Sequence, residues 1–148
     1  MRGVIRVRQG TIEEVVALSH RIPEFFRPYD KKVYEDRLKG TPHLILIAEV
    51  DDRQVGFKVG YERDLPHVFY SWMGGVLEPY RKMGVATKLA EAQELWASDQ
   101  GYLKIYFKTR NRLVNMIRFG LNMGFMIVDL VKKDGIEEYR IVMEKVLG

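Results

Sequence analysis

The chain has 148 residues, 47% of them hydrophobic and 30% charged, a composition that suits one globular domain with its own core. The absence of cysteine excludes disulfides, thiol catalysis and thiolate metal sites, and since the three histidines are too scattered to form a ligand pattern we predict no metal. A net charge of +4 favours anionic ligands, and without a signal-peptide core or a membrane-length apolar run we expect a cytoplasmic location and no membrane contact.

The N-terminal segment predicts one strand followed by two helices. A branched run over residues 3–7 indicates the strand. Thr11 and Glu14 have the spacing of a capping box, which opens the first helix. Asp30 can cap the second helix, and Gly40 can end it.

Three consecutive strands are predicted next. The mostly apolar runs His43–Val50 and 54–61 flank a polar turn and therefore indicate an antiparallel hairpin. Gly56 within the second run indicates a close backbone approach or a bulge. The third run, Val68–Val76, contains adjacent glycines at 74–75, which either splay the strand from its neighbour or form a plain bulge.

A turn rich in cations and small residues links the third run to a helix predicted over Val85–Asp99. Backbone N–H groups at a helix start have no intrahelical partner and lie at the positive end of the helix dipole, so this turn can hold a phosphate or pyrophosphate. Gly84 and Ala86 leave the main chain open to an anion. Arg81 and Lys82 add positive charge.

The C-terminal part predicts a parallel crossover, a helix and a closing hairpin. A strand at residues 102–108 follows the long helix, and this order indicates a parallel strand pair. Asn111 can cap the next helix, and residues 125–131 and 136–147 then form the hairpin. We therefore predict an α+β fold in a single domain, residues 1–148, with about four helices around a mixed, mostly antiparallel sheet.

The turn resembles the cofactor signature of the GNAT superfamily of acyl-CoA-dependent N-acyltransferases, which is Gln or Arg, two residues, Gly, one residue, and Gly or Ala. Arg81, Gly84 and Ala86 occupy its fixed positions, and Val76 stands five residues before Arg81, as the family's strand-end valine does. Residues 111–125 are similar to the family's second cofactor segment. The resemblance implies the GNAT fold, whose sheet is splayed between strands 4 and 5.

The resemblance also implies acetyl-CoA (coenzyme A) as cofactor and transfer of its acetyl group to a primary amine by direct attack, a reaction that needs no cysteine. N–H groups from about Met83 to Thr87 would bind the pyrophosphate, the end of strand 4 would run along the pantetheine arm, and Asn111 would contact that arm or cap its helix. The implied cofactor-binding residues are Val76, Leu77, Arg81, Lys82, Met83, Gly84, Val85, Ala86, Thr87 and Asn111.

The resemblance assigns the catalytic groups less completely than the cofactor-binding residues. A backbone N–H near Leu77 would polarise the thioester carbonyl. The tyrosine that serves as acid in many members falls at Gly120, so the acid is unassigned: Asn115, Asn122 or Tyr106 could orient a water, or the thiolate could leave unassisted. Because 68–75 contains no carboxylate, the candidates for the base are Tyr70, Glu62 and His67.

The acceptor stays open among small amines, aminoglycosides, polyamines and protein amino termini, and its pocket would be built from the closing hairpin and from Phe25, Phe26, Tyr29 and Tyr34. For the aromatic loop that carries the two phenylalanines, we favour a place in the core and keep substrate contact as the alternative.

Other functions are weighed against acetyl transfer. A non-catalytic acyl-CoA sensor of the same fold is the alternative that Gly120 supports. Nucleic-acid binding lacks a recognition helix or an aromatic platform beside its candidate cations, so we expect no nucleic acid. Those cations are Lys104, Lys108, Arg110 and Arg112. Exposed strand edges can pair with a second copy, which allows a homodimer.

Overall fold

The computed structural model describes residues 3–63 and 66–148, and in these ranges it contains a seven-stranded sheet and four α-helices. The strands are β1 (Ile5–Gln9), β2 (His43–Val50), β3 (Arg53–Glu62), β4 (Val68–Val76), β5 (Lys104–Arg110), β6 (Met126–Val131) and β7 (Arg140–Val146). The helices are α1 (Ile12–Ser19), α2 (Lys31–Leu38), α3 (Val85–Asp99) and α4 (Val114–Asn122). Short 3-10 turns lie at Glu78–Tyr80 and Ile136–Glu138.

The sheet order is β1-β2-β3-β4-β5-β7-β6, and β4 with β5 is the parallel pair among antiparallel neighbours in the described ranges. These two strands pair only at Val68 with Lys104, Phe69 with Ile105 and Tyr70 with Tyr106. Beyond them β5 continues beside β7 while β4 continues beside β3. The mixed sheet and its splay between strands 4 and 5 confirm the predicted fold class.

Apolar side chains cover both faces of the sheet, because strand residues alternate between the faces. One face, the α1–α2 face, packs under the first two helices with Val15, Leu18, Tyr34, Ile47, Phe57, Val59, Tyr61, Tyr70 and Tyr106. The other, the α3–α4 face, packs under the last two with Leu44, Ala48, Phe69, Val85, Leu89, Ile105, Phe107, Ile141 and Met143. No helix within the described residues is long and apolar enough to cross a membrane.

Short-range signals in the sequence set several of these boundaries. Thr11 Oγ1 accepts a bond from the Glu14 N–H, and the Glu14 carboxylate accepts one from the Thr11 N–H, so the capping box is confirmed. Asp30 caps α2 through the N–H of Val33. The β2–β3 turn places Asp51 and Asp52 at φ 52° and 63°, the left-handed pair that a tight hairpin turn requires.

The predicted helix cap at Asn111 is wrong. Helix α4 begins at Val114, with Leu113 at its N-cap and no side-chain cap. Instead, Asn111 Nδ2 donates to the Ile136 carbonyl at 3.1 Å and its N–H donates to the Tyr139 carbonyl at 2.9 Å. Asn111 therefore extends the pairing of β5 with the segment before β7.

The glycine pair of β4 lies in the part of the strand that has separated from β5, and it forms no bulge. Gly74 and Gly75 stay in register with Lys58 and Phe57 of β3. The register shift lies further back, at Trp72, which has no opposite residue on β3, and the separation from β5 starts after residue 70. The last strand also begins later than predicted, at residue 140, because the 3-10 turn at 136–138 precedes it.

Candidate active site

An opening lies between β4 and β5 on the side where the two strands separate. Residues 71–76 of β4 have no partner on β5, although all of them except Trp72 remain paired with β3. An unpaired strand edge presents N–H and C=O groups that can bond to an extended ligand. We call this opening the split.

The hydrogen-bond phase of β4 shows which of its amides face the split. The Leu77 N–H donates to the Val55 carbonyl at 2.8 Å, so Leu77 faces β3. Since antiparallel residues alternate in direction, the amides of Gly74 and Val76 face away from β3. Arg81 Nε confirms this by donating to the Val76 carbonyl at 3.1 Å. The N–H of Leu77 is therefore not available to a ligand, contrary to the prediction. The N–H groups of Gly74 and Val76 face the split instead.

The start of α3 presents bare main chain. Gly84 is the N-cap, at φ 92°, with no side-chain cap, and a Cβ built there would meet no atom nearer than Ile5 Cδ1 at 4.0 Å. Ala86 and Thr87 are exposed, whereas Val85 turns into the core and is 1% exposed. The first N–H groups of the helix thus face solvent, as an anion-binding turn requires.

The two cations of this turn, Arg81 and Lys82, differ in whether a carboxylate pairs with them. Arg81 makes a bidentate ion pair with Glu24, at 2.7 and 2.6 Å, and this guanidinium lowers the pKa of the Glu24 carboxyl. Its charge is therefore neutralised, and its contacts tie the loop before α2 to the end of β4. Lys82 is exposed at φ 63°, and Met83 is half-buried against the core.

An aromatic cluster lines the base of the split on the α1–α2 face. The rings of Tyr70 and Tyr106 stack at 4.8 Å, at the last paired position of β4 and β5. Tyr61 meets Tyr70 edge-on at 5.5 Å, and Trp72 packs on Tyr34 at 5.1 Å. The chief effect on Tyr70 is burial, which raises the pKa of its hydroxyl, so Tyr70 stays protonated near neutral pH.

Three cations surround this cluster. The Arg37 guanidinium lies 4.8 Å from the centre of the Trp72 ring. The Arg63 guanidinium and the Lys108 ammonium lie 5.0 and 5.9 Å from the centre of the Tyr70 ring. The α1–α2 mouth of the split is therefore electropositive.

A second polar group lies on the α3–α4 face. Lys58 is half-buried, and its Nζ would be 3.7 Å from a Cβ at Gly74. Burial lowers the pKa of Lys58 to about 8, with Glu94 acting in the opposite direction. Lys145 Nζ donates to Glu94 at 2.6 Å and to the Met123 carbonyl at 2.7 Å, which joins α3 to the end of α4.

Two of the predicted bases lie away from the split. Glu62 is on the α3–α4 face, opposite to Tyr70, where burial and the nearby Glu62 carboxylate raise the pKa of Tyr102 to about 12. His67 is exposed at the start of β4, at the paired end of the strands. Of the three candidates, only Tyr70 borders the split.

Packing explains why position 120, where many family members have the tyrosine that serves as acid, is a glycine here. Gly120 is buried, and a Cβ there would be 2.7 Å from Phe107 Cζ and 2.9 Å from Met143 Cε, so no larger residue fits without movement. Asn115 and Asn122 are exposed on α4.

The predicted acceptor pocket forms only in part. Tyr29 and Tyr34 contact Trp72, as a shared pocket requires. Phe25 packs on Phe57 at 5.9 Å, which makes it a core plug, whereas Phe26 is 86% exposed.

The sequence reasoning missed Arg37, Trp72 and Lys58. One signal was present for Lys58, a charge between Phe57 and Val59 in the apolar middle of β3. Arg37 and Trp72 come together only because α2 packs on β4. No local sequence pattern predicts that contact.

Comparison with known proteins identifies relatives of the chain. A sequence model described as the acetyltransferase (GNAT) family matches residues 12–125. A search of curated proteins finds no match.

Solved structures share the fold. The ribosomal-protein-S18-alanine N-acetyltransferase of Escherichia coli superposes with a TM-score of 0.82 at 14% identity, over 97% of this chain and 94% of that one. A GNAT family acetyltransferase of Elizabethkingia anophelis, solved with acetyl-CoA bound, superposes with a TM-score of 0.75 at 20% identity, over 97% and 98%. The PaiA N-acetyltransferase of Thermoplasma acidophilum, solved with coenzyme A, gives 0.73 at 16% identity, over 97% and 99%.

Proposed function

The chain belongs to the GNAT family of acetyltransferases, and on this premise we propose that it transfers the acetyl group of acetyl-CoA to a primary amine. The acceptor is a small-molecule amine or a protein amino group. Residues 1–148 would act as a single acetyltransferase domain. The observation that carries the proposal is the exposed, uncapped start of α3 at the open end of the split.

The residues at the start of α3 fit the diphosphate of coenzyme A. The N–H groups from Met83 to Thr87 would bind it, and Gly84 gives it room to approach the main chain. Lys82 would add a mobile positive charge, whereas the ion-paired Arg81 holds the turn in place. The acetyl-CoA in the Elizabethkingia relative supports this choice of cofactor.

Acetyl-CoA would supply a thioester carbonyl for direct attack by the amine. Unpaired amides at Gly74 and Val76 would bond to the pantetheine arm and stabilise negative charge on the carbonyl oxygen. Tyr70, which burial keeps protonated, would donate a hydrogen bond rather than act as the base. Solvent at the mouth of the split would accept the proton of the amine.

Gly84→Glu tests the cofactor site. We expect the Kd for coenzyme A to rise about tenfold or more, because a carboxylate would occupy the anion position. Isothermal titration calorimetry measures this change. Gly101→Glu is the matched control, since Gly101 has φ 93° and open surroundings at the other end of α3. Equal affinity of both variants for coenzyme A would remove the assignment of the diphosphate to this turn.

The alternative is a non-catalytic acyl-CoA-binding sensor of the same fold. The observation in its favour is Gly120, which packing keeps free of the family's tyrosine. Steady-state assays with acetyl-CoA and a broad panel of amines and protein amino termini separate the two functions. Tight binding of coenzyme A without transfer to any acceptor would establish the sensor.

The charged surface supports a protein or small-molecule partner rather than nucleic acid. Lys104 pairs with Glu144 at 3.8 Å, and Arg110 and Arg112 pair with Glu138 at 3.5 and 2.8 Å. Three of the four cations considered for phosphate contacts are thus already in ion pairs, with Glu138 shared by the two arginines.

A homodimer through the free edge of β6 is also proposed. All six residues of β6 are exposed, and five of them are large and apolar. An exposed, apolar strand edge is a template for pairing with another chain.

A further inference from the structure

We infer that the acceptor is an amine that also carries a carboxylate, bound between Arg37 and Lys108 at the mouth of the split. The inference rests on the proposed acetyl transfer and deepens it by naming the chemical class of the acceptor. Free amino acids and acidic peptide amino termini share this chemistry.

The two cations flank the point where an acceptor must enter. Arg37 belongs to α2 and lies over Trp72, while Lys108 belongs to β5 and lies near Tyr70. Tyr70 ends the paired part of β4, so the two cations stand on opposite rims of the split. An acceptor whose amine reaches into the split would have its remaining groups between them.

Neither cation is neutralised within the described part of the chain. Arg37 Nη1 donates to the Tyr61 hydroxyl at 3.1 Å, and its guanidinium forms no ion pair with a described carboxylate. Lys108 likewise contacts an aromatic ring and no described carboxylate. By contrast, Asp36, the acid beside Arg37 in the sequence, pairs with Lys32. Arg37 and Lys108 are therefore two positive charges that an anionic group of a ligand can pair with.

The aromatic contacts hold the Arg37 guanidinium in one place. Its plane offers a donor fork that matches a carboxylate, and the ring beneath it restrains the side chain before a ligand arrives. A polyamine or an aminoglycoside would instead place further positive charges beside Arg37 and Lys108, which like-charge repulsion disfavours. The charge of the rims thus selects for an anionic group on the acceptor.

An acetyl-transfer assay compares matched acceptors. The panel contains glutamate, glutamine amide, spermidine, and two peptide amides that differ only in glutamate or glutamine at the second and third positions. We expect kcat/KM to be at least about tenfold higher for carboxylate-bearing acceptors than for their neutral partners. Preference for the amino acid or for the acidic peptide distinguishes the two sources. Equal rates, or preference for spermidine, would overturn the inference.

Variants assign the effect to the two cations. Arg37→Gln and Lys108→Gln should each raise KM for the carboxylate-bearing acceptor about tenfold and leave KM for its neutral partner unchanged. Lys39→Gln, an exposed lysine directly after the same helix, is the control for a general loss of surface charge. A KM that rises equally for charged and neutral acceptors would contradict the assignment.

A binding measurement separates this inference from acetyl transfer itself. The chain has two tryptophans, and Trp96→Phe leaves Trp72, which lies under Arg37, as the single fluorescent reporter. Glutamate added to the coenzyme A complex of this variant should change its fluorescence with saturation, and the further change Arg37→Gln should abolish that response. Absence of transfer to any amine would count against the proposed function, whereas absence of a saturable response to glutamate and to the acidic peptide would overturn the inference.

Discussion

Lys58 places an amine inside the sheet on the α3–α4 face, where Gly74 leaves room for it. Its folded pKa of about 8 lies below the ordinary value of 10.5. Below pH 8 the amine is charged in both the folded and the unfolded state, so the folded protein bears the full cost of desolvation. Between pH 8 and 10.5 the folded state gives up the proton first, and the cost falls.

Lys58→Met should therefore raise the free energy of unfolding near pH 7. In the native protein this free energy should rise with pH between 8 and 10.5 relative to the variant. Urea denaturation at several pH values measures both quantities. Lys133→Met, at an exposed turn, controls for loss of a lysine. Parallel pH curves for native protein and Lys58→Met would show that the amine is well solvated.

Residues whose partners are close in sequence were predicted well. Thr11 and Glu14 are three positions apart, so their capping box could be recognised from spacing alone. Leu77 was misassigned because strand phase depends on the register with β3, which the sequence does not display. Arg37 and Lys108 meet the same aromatic cluster only after α2 and β5 have packed on it.

Helix α4 approaches the sheet closely, and Gly120 is the contact point. A Cβ at this position would be nearer to Phe107 and Met143 than side chains normally come. The missing tyrosine of the family is therefore a consequence of how this helix packs. In the proposed acetyl transfer, a hydrogen bond to the departing thiolate would come from another element, and Tyr70 on β4 is protonated near neutral pH.

Gly120→Ala should destabilise the fold by about 1 kcal/mol, because an overpacking cost of about 1–3 kcal/mol exceeds the gain in helix propensity of about 1 kcal/mol. Urea denaturation provides the free energy of unfolding. Asn122→Ala, on the exposed side of α4, should change it little. A Gly120→Ala protein as stable as the native one would mean that α4 shifts outward freely.

Elements bounded by strong local signals were predicted at their observed positions. An apolar run between turn residues gave β2 and β4 their limits, and α3 covers the predicted Val85–Asp99, with Gly101 at φ 93° just after it. The start of α4 and the start of β7 were misjudged because both depend on the contact between residues 111 and 136 across the sheet. Local patterns do not record such contacts.

The described sheet has an edge strand at each end, β1 and β6, and the β6 edge is the more exposed and apolar of the two. Strand β6 pairs with β7 on one side, and its other side has no described strand beside it. Its exposed apolar residues make this edge the surface through which we propose that a second copy binds.

Val128→Lys should convert the dimer to a monomer, since a charge on an edge strand opposes pairing. Val128 is 52% exposed, and Val146→Lys is the control because Val146 is 71% exposed on an inner strand. Light scattering coupled to size exclusion gives the mass of each protein. A monomeric native protein would contradict the proposed dimer.

The order β5-β7-β6 has a consequence for refolding after denaturation. Strand β6 precedes β7 in the chain but neighbours no other strand in the described sheet, so β6 has nothing to hydrogen-bond to until Arg140–Val146 is in place. During that interval an apolar ribbon is open to other unfolded chains. The yield of native protein after dilution from urea should therefore fall as the protein concentration rises, and Val128→Lys should reduce that fall.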